Sequence, residues 1–600
     1  MASPTTPKLK AILKKYFGFD EFRGLQENII EDLLNHQDVL VLMPTGGGKS
    51  LCYQIPALMR EGVALVVSPL ISLMEDQVSA LRTQGIKAAF YNSSLSVDES
   101  REVLAALHQD ELDLLYIAPE RLISLNFLER LESCKIALFA IDEAHCISQW
   151  GHDFRPEYAQ LGQLKQYFPD VPIIALTATA NQETRDDIVQ KLNYNPKFYV
   201  ASFNRPNIYY RVLFKHQPFQ QLLKFLASQA PHSGIIYCGT RVQVDSLTQK
   251  LNHHQIDARS YHAGLDFTTR RQVQTLFRHD KIAVVVATVA FGMGIDKPNV
   301  RFVVHYDLPK SIEGYYQETG RAGRDGLPAQ SLTLYDPADT NYLRNWIHTI
   351  SDPNKQRSEA QKLNHMIAFA EARHCRRQIL LRYFDETLAK ACGHCDVCTH
   401  PPKTTDATED VQRFLSCIYR LKQNYGLAYV IDILRGSTNA KILQANHHKL
   451  STHGIGRYQS TYFWKQLGWQ LIHQEFCFQD ANHFNVLRLT PKAIDVLKNK
   501  QAVMLALPEA PLLSESTKKM TKLTATNIDP LYEPLRLMRK KIADEENKPP
   551  FMIFSDNTLQ DIAKFKPTTL KALLTISGIG QYKLNRYGPM VLKTLEMAEA

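Results

Sequence analysis

The sequence predicts an α/β chain in which two parallel-sheet lobes precede a zinc-binding helical module and two smaller domains. Three observations carry that expectation. Short, continuous apolar runs alternate with helix-length polar segments through the first half, as strands covered by helices on both faces require. One early run leads into a glycine-rich loop ending in a lysine and a hydroxyl. Further on, three cysteines stand at two-residue intervals with a fourth upstream, the spacing of a tetrahedral metal site.

Length and charge bound the alternatives. Six hundred residues exceed what one hydrophobic core supports, so several domains are expected. With 70 basic and 61 acidic residues the net charge is +9, a mild excess that permits a polyanionic partner without demanding one. No stretch approaches ~18 uninterrupted apolar residues, and Met1 to Thr6 leads into lysines without a hydrophobic signal core. The expectation is a cytoplasmic protein with no membrane contact. Ten cysteines are too few for a disulfide scaffold in so long a chain.

In the first lobe, Val39 to Leu42 read as a strand running into Met43-Pro44-Thr45-Gly46-Gly47-Gly48-Lys49-Ser50. Consecutive glycines let backbone amides wrap an anionic cluster, Lys49 reaches the outer phosphates, and Ser50 can ligate magnesium at a helix start. The strict phosphate-loop pattern has a glycine where Met43 stands. Upstream, an aromatic at Phe19 can stack on a purine and Gln26 can meet both hydrogen-bonding edges of adenine; packing is the alternative role. Further strand signals fall at Val63 to Val67, Leu114 to Ile117, Leu138 to Ile141 and Ile173 to Leu176.

Asp142-Glu143-Ala144-His145 follows one of these strands directly. Ligands of such sheets sit beyond the carboxyl ends of the strands. There Asp142 can hold magnesium through water, while Glu143 orients and deprotonates the water that attacks the terminal phosphate. The loop from Ser148 to Tyr158 then carries Trp150, Phe154 and Arg155, aromatics beside an arginine that suit base stacking and phosphate contact on a single strand. The alternative is an aromatic loop packed between the lobes.

The alternation restarts after Ser202-Phe203-Asn204-Arg205-Pro206-Asn207, with strands at Gly234 to Cys238, Ile282 to Thr288 and Phe302 to Tyr306. This second lobe lacks a phosphate loop of its own, so its task is to close on the nucleotide held by the first. The run Gln317 to Gly326 places Arg321 and Arg324 three apart, on one helical face. An arginine delivered across a cleft neutralises charge on the transferred phosphoryl group; Arg324 is the expected finger, with Gln317 and Arg321 beside it.

With these motifs in view, the chain resembles the RecQ family of superfamily-two DNA helicases, of the bacterial type, over nearly its whole length. The resemblance rests on Met43 to Ser50, on Asp142 to His145 with the adjoining aromatic loop, on Thr288 to Pro298, and on Gln317 to Gly326. It departs where Phe19 replaces the family's tyrosine and Asn204 its aspartate. It implies two RecA-like motor lobes, 1–205 and 206–341, driven by ATP and Mg2+ in the 3′-to-5′ direction on single-stranded DNA, and unwinding of forked duplex. It places Phe19, Arg23 and Gln26 at adenine and Asp296 at the ribose. It also implies that Arg121, Asn207 and Thr288 contact the DNA backbone. The single-stranded DNA-binding protein is an implied partner, through Arg435 and Arg457. A monomer working on the bacterial nucleoid is expected.

Beyond the lobes, Cys375, Cys392, Cys395 and Cys398 suit a closed, structural Zn2+ site within 342–405. The basic segment Phe369 to Arg377 reads as a helix whose cations can face DNA. Thr399 to Ala407 reads as a linker. Residues 406–510 pair helices with two strand-like runs around Gln479 to Asn482, a pattern that fits a winged helix. Residues 511–525 form a polar linker. The segment 526–600 resembles an HRDC domain, in which Gly578-Ile579-Gly580 either offers amides to a phosphate or makes a tight helix–helix turn.

Overall fold

The computed structural model describes residues 6–148, 155–178, 180, 182–292, 297–480, 483, 486–498, 502–506 and 529–599. By its internal contacts the chain divides into two compact units, one comprising Met1–Tyr209, Leu213–Asn345 and Met520–Ala600, the other Tyr210–Val212 and Trp346–Lys519.

The first unit holds both parallel-sheet lobes. In lobe 1, β1 (Val39–Leu42), β2 (Val63–Val67), β3 (Ala88–Tyr91), β4 (Leu114–Ile117), β5 (Ile136–Ile141), β6 (Ile173–Thr177) and β7 (Lys197–Val200) form a sheet in the order β3-β4-β2-β5-β6-β1-β7. Every adjacent pair is parallel. The central strands are apolar and buried because helices cover both faces, which is why they read clearly as continuous apolar runs. The edge strands β3 and β7 did not stand out. Ala-Ala-Phe-Tyr carries no Val, Ile or Leu, and Lys-Phe-Tyr-Val leaves three of its four residues exposed.

Lobe 2 repeats the plan with β8 (Ile208–Phe214), β9 (Gly234–Tyr237), β10 (Ala258–Tyr261), β11 (Val284–Ala287), β12 (Phe302–His305) and β13 (Ala329–Tyr335), in the order β10-β11-β9-β12-β13-β8. Ion pairs join the lobes: Arg278 on helix Phe267–Arg278 meets Asp76 on helix Ile71–Thr83, and Arg271 lies 3.7 Å from Glu75.

The C-terminal helices Tyr532–Glu545, Asp556–Phe565 and Gln581–Glu599 enclose their own core around Leu535, Leu559, Ile562 and Val591. They also touch both lobes. Lys281 Nζ lies 2.6 Å from Asp544, Asn557 donates to the Asp325 carbonyl at 3.2 Å, and the Gly578 amide donates to the Gly18 carbonyl at 2.9 Å. The Gly578 amide, which the sequence offered to a phosphate or to a plain turn, is therefore spent on lobe 1. Gly18 has φ +75°, and a Cβ there would stand 2.7 Å from the Ile579 nitrogen, so only glycine permits this approach.

The second unit begins with helices Pro353–Ala370 and Arg376–Tyr383. The expected continuous helix from Phe369 to Arg377 is broken before Cys375. Arg376 is 5% exposed, lies 2.6 Å from Asp396 and donates to the Phe369 carbonyl, while Arg377 is 3% exposed over the Tyr210 ring. Both cations hold the module together rather than face a ligand. Helices Thr408–Arg420, Leu427–Arg435 and Thr461–His473 then pack on a hairpin of β14 (Cys477–Asp480) and β15 (Val486–Leu489), with Trp464 fully buried among them. Within the expected linker, Thr405–Asp406 is a strand paired antiparallel with Met504–Leu505. At the hairpin turn His483 is tied to Asp480 at 2.8 Å; Phe484 lies outside the described residues.

Candidate functional site

The phosphate loop leaves the carboxyl end of β1 and turns through Gly46 (φ +82°) and Gly48 (φ +80°), conformations that favour glycine. Helix Leu51–Ala57 begins immediately after Ser50. Lys49 folds back to donate to the Met43 carbonyl at 3.2 Å, so the backbone at Met43 serves the loop although the glycine of the strict phosphate-loop pattern is absent there. Beside the loop lies a cavity of about 440 Å³ lined by Arg23, Gly24, Leu25, Met43, Pro44, Gly46, Gly47, Val200, Ala201 and Ser202. Glycine backbone on one side and small apolar walls on the other suit a nucleotide's phosphates and its flat base.

The expected adenine residues take different places. Arg23 lines the cavity and its guanidinium stands 5.8 Å from the Phe19 ring, which packs against the cluster of Leu9, Leu13, Ile30 and Ile55. Gln26 is 1% exposed; it accepts from the Arg23 amide at 2.8 Å and donates to the Gly48 carbonyl at 3.0 Å. Its amide shapes the phosphate loop in this structure instead of being presented to a base.

Two strands away, β5 delivers Asp142 and Glu143. Asp142 accepts from the Glu143 amide at 3.0 Å, and Tyr158 donates its hydroxyl to the Asp142 carbonyl at 3.2 Å. Glu143 sits at φ +49°, a left-handed conformation that a non-glycine residue adopts at some cost and that is concentrated at functional sites. Its carboxylate lies 3.4 Å from His145 Nδ1, which also shares a hydrogen bond with the Thr177 hydroxyl at 2.9 Å. Burial, aided by the charges of Lys49 and Arg155, pushes His145 down to about 3, so the imidazole that stands beside Glu143 and bonds the end of β6 is neutral at physiological pH.

Lobe 2 brings its arginine loop onto this site. A Cβ at Gly46 would lie 3.3 Å from the Cα and Cγ of Arg324, and one at Gly320 would lie 3.6 Å from Thr45 Cβ. Arg324 therefore abuts the phosphate loop. Arg321 is 8% exposed and turns into lobe 2 toward Gly292 and Tyr237; burial pushes Tyr237 up to about 12 while Arg321 opposes that shift. Gln317 is half-buried on helix Ile312–Thr319, one turn before the loop. Sequence reading passed over Arg205, whose guanidinium donates to Thr45 in lobe 1 and to Gly320, Ala322 and Gly323 in lobe 2.

In the second unit, the ligand atoms of Cys375, Cys392, Cys395 and Cys398 all lie within 4.8 Å of one another, and Cys392 Sγ is 3.8 Å from Cys398 Sγ. Four converging thiols, two buried and two half-buried, fit Zn2+ in a closed tetrahedral site. Among the described residues this is the one group of metal-ligating side chains so arranged.

Family models match in five consecutive blocks: DEAD/DEAH box helicase over 23–188, helicase conserved C-terminal domain over 217–326, RecQ zinc-binding over 337–399, RQC domain over 401–513 and HRDC domain over 529–595. The chain is 46% identical over 597 residues to the ATP-dependent DNA helicase RecQ of Haemophilus influenzae, covering 99% of this chain and 96% of that one. The chain belongs to the RecQ family. Relatives of the same name from Pasteurella multocida and Bacillus subtilis are 47% and 40% identical, covering 98% of this chain and 93% and 98% of theirs. It is a RecQ helicase, an ATP hydrolase that uses ATP and Mg2+ to unwind DNA and carries a Zn2+ module.

The expected DNA residues of this RecQ chain are partly engaged within the fold. Arg155 donates to the Pro69 carbonyl at 2.6 Å, Arg121 lies over the Tyr91 ring at 5.3 Å, and Thr288 caps a turn by accepting from the Ala290 amide at 3.4 Å. Asn207 gives its amide to the Gly323 and Leu327 carbonyls, both at 2.9 Å, so it shapes the arginine loop. Trp150, Phe154 and Asp296 lie outside the described residues. Among the described residues no helix is long and apolar enough to cross a membrane.

Proposed function

We propose that ATP is hydrolysed in the cleft between the phosphate loop of lobe 1 and the arginine loop of lobe 2, and that lobe closure moves the chain 3′ to 5′ along one DNA strand. The observation that carries this reading is the seating of Arg324 against Gly46. Lys49 leaves the Met43 carbonyl to meet the outer phosphates, and Ser50 and Asp142 would hold magnesium, which would draw charge from the phosphate oxygens. Glu143 takes the proton of the attacking water. Arg324 neutralises charge developing on the phosphoryl oxygens, while Arg321 braces the loop from within lobe 2 and Gln317 lies behind it.

The same reading assigns Phe19 and Arg23 to the base, Gln26 after it leaves Gly48, and Asp296 to the ribose. Trp150 and Phe154 stack on DNA bases beside Arg155, and Arg121 and Thr288 flank the strand. Domain limits fall near 205, 341, 405, 510 and 525. The single-stranded DNA-binding protein docks on the winged domain through Arg435 and Arg457; the Arg457 side chain packs over Gly436 and Gly454, and Arg435 donates to the Gln459 carbonyl at 2.8 Å. We place the protein as a monomer in the bacterial cytoplasm, on nucleoid DNA. Strand displacement on duplexes with either a 3′ or a 5′ single-stranded tail tests the motor reading: ATP should drive unwinding from the 3′ tail, and unwinding from the 5′ tail alone would overturn it.

A further inference from the structure

The guanidinium of Arg205 occupies the segment that joins the two lobes, and all four of its hydrogen bonds go to backbone carbonyls. Nη1 donates to Thr45 O at 2.7 Å and to Gly320 O at 3.2 Å; Nη2 donates to Ala322 O and Gly323 O, both at 2.9 Å. One acceptor belongs to the phosphate loop and three to the loop that carries Arg324. The side chain is 9% exposed. A planar fork with five donors spans these divergent acceptors, a task that the single ammonium of lysine cannot match.

The acceptors are placed where position matters. Gly323 adopts φ +59°, its amide donates to Val300 O at 2.8 Å, and its carbonyl accepts from both Arg205 and Asn207 at 2.9 Å. The residue immediately before Arg324 is thus fixed from three directions. Thr45, the lobe 1 acceptor, immediately precedes Gly46, against which Arg324 packs. The distribution is unequal, three bonds to one loop and one to the other. When the lobes part, the Thr45 bond is the one that must break, and the guanidinium stays with the arginine loop.

We infer that Arg205 is a positioning residue, a closure latch that registers the arginine loop of lobe 2 against the phosphate loop of lobe 1 and thereby aims Arg324. This rests on the assignment of Arg324 as the finger. Arg205 touches no reacting atom; it acts through Arg324. Its removal should spare the ground state, in which Lys49 and the loop amides hold the nucleotide, and harm the transition state, in which the finger is needed.

The test compares Arg205→Ala, Arg205→Lys and Arg324→Ala in the full-length protein, with zinc content and single-stranded DNA affinity confirming the fold. Arg205→Ala should lower the kcat of DNA-stimulated ATP hydrolysis by ~10²-fold, the scale of a finger misplaced by about an ångström. Affinity for a non-hydrolysable ATP analogue should stay within about threefold, while affinity for ADP with aluminium fluoride falls by ~30-fold or more, because only the latter reports transition-state geometry. Lysine, reaching one loop at a time, should recover only a minor part of the rate. Near-normal turnover in Arg205→Ala, or an equal loss of both analogues, overturns the latch. If Arg324→Ala also turns over normally, the finger assignment has failed; if it alone loses turnover, only the latch has.

Discussion

Glu143→Gln is expected to lower DNA-stimulated ATP hydrolysis by ~10²–10⁴-fold, the contribution typical of a general base. Glutamine keeps the size and the hydrogen-bonding reach of the side chain but cannot accept a proton from water. The backbone at φ +49° and the neighbouring His145 and Thr177 are left in place, so the site should still assemble. ATP affinity, set by Lys49 and the loop amides, should change by no more than about threefold, because the lost interaction belongs to the transition state. Steady-state hydrolysis with saturating single-stranded DNA, alongside equilibrium binding of a fluorescent ATP analogue, separates the two quantities. Turnover near that of the unaltered chain would remove Glu143 from its assigned role.

Loss of a zinc thiolate should produce the largest change in stability. Cys395 is fully buried and precedes helix Asp396–Thr399, whose Asp396 pairs with Arg376, so the ligand is continuous with the module's internal ties. Binding of structural zinc supplies ~10–16 kcal/mol to modules of this kind. Cys395→Ser should therefore release the metal and unfold the segment around Cys375 to Cys398. Elemental analysis should find a single zinc in the unaltered chain and none in the variant, and proteolysis should cut the variant between the second lobe and the winged domain. A variant that keeps its zinc and its resistance to protease would contradict the four-cysteine site.

The parts of this protein that read easily from sequence are those written locally. β1, β2 and β4 are unbroken apolar runs, the loop from Thr45 to Ser50 is contiguous, and three of the four zinc cysteines stand within seven residues. What sequence hid depends on pairs far apart in the chain. Gly18 meets Gly578, Gln26 reaches Gly48, and Arg205 reaches Thr45 and Gly323, contacts that leave no periodicity at either end. Gln26 shows the physical reason: a glutamine suits an adenine edge and a backbone carbonyl equally well, and only the fold decides which is near. Arg376 and Arg377 likewise carried charge that suggested a polyanion, yet burial against Asp396 and Tyr210 commits them to the module. The HRDC segment looked separate because a polar connector precedes it, whereas Asp544, Asn557 and Gly578 join it to the lobes.

The central claim is that the hydrolytic site is complete only when lobe 2 brings Arg324 to the phosphate loop. Single-turnover hydrolysis by Arg324→Ala, with nucleotide and DNA both bound, measures this directly. An arginine finger contributes ~10³–10⁵-fold to turnover, so the rate should fall by at least that lower figure while ATP remains bound. A single-turnover rate within about tenfold of the unaltered chain would contradict the account, because that is far below the contribution of a finger.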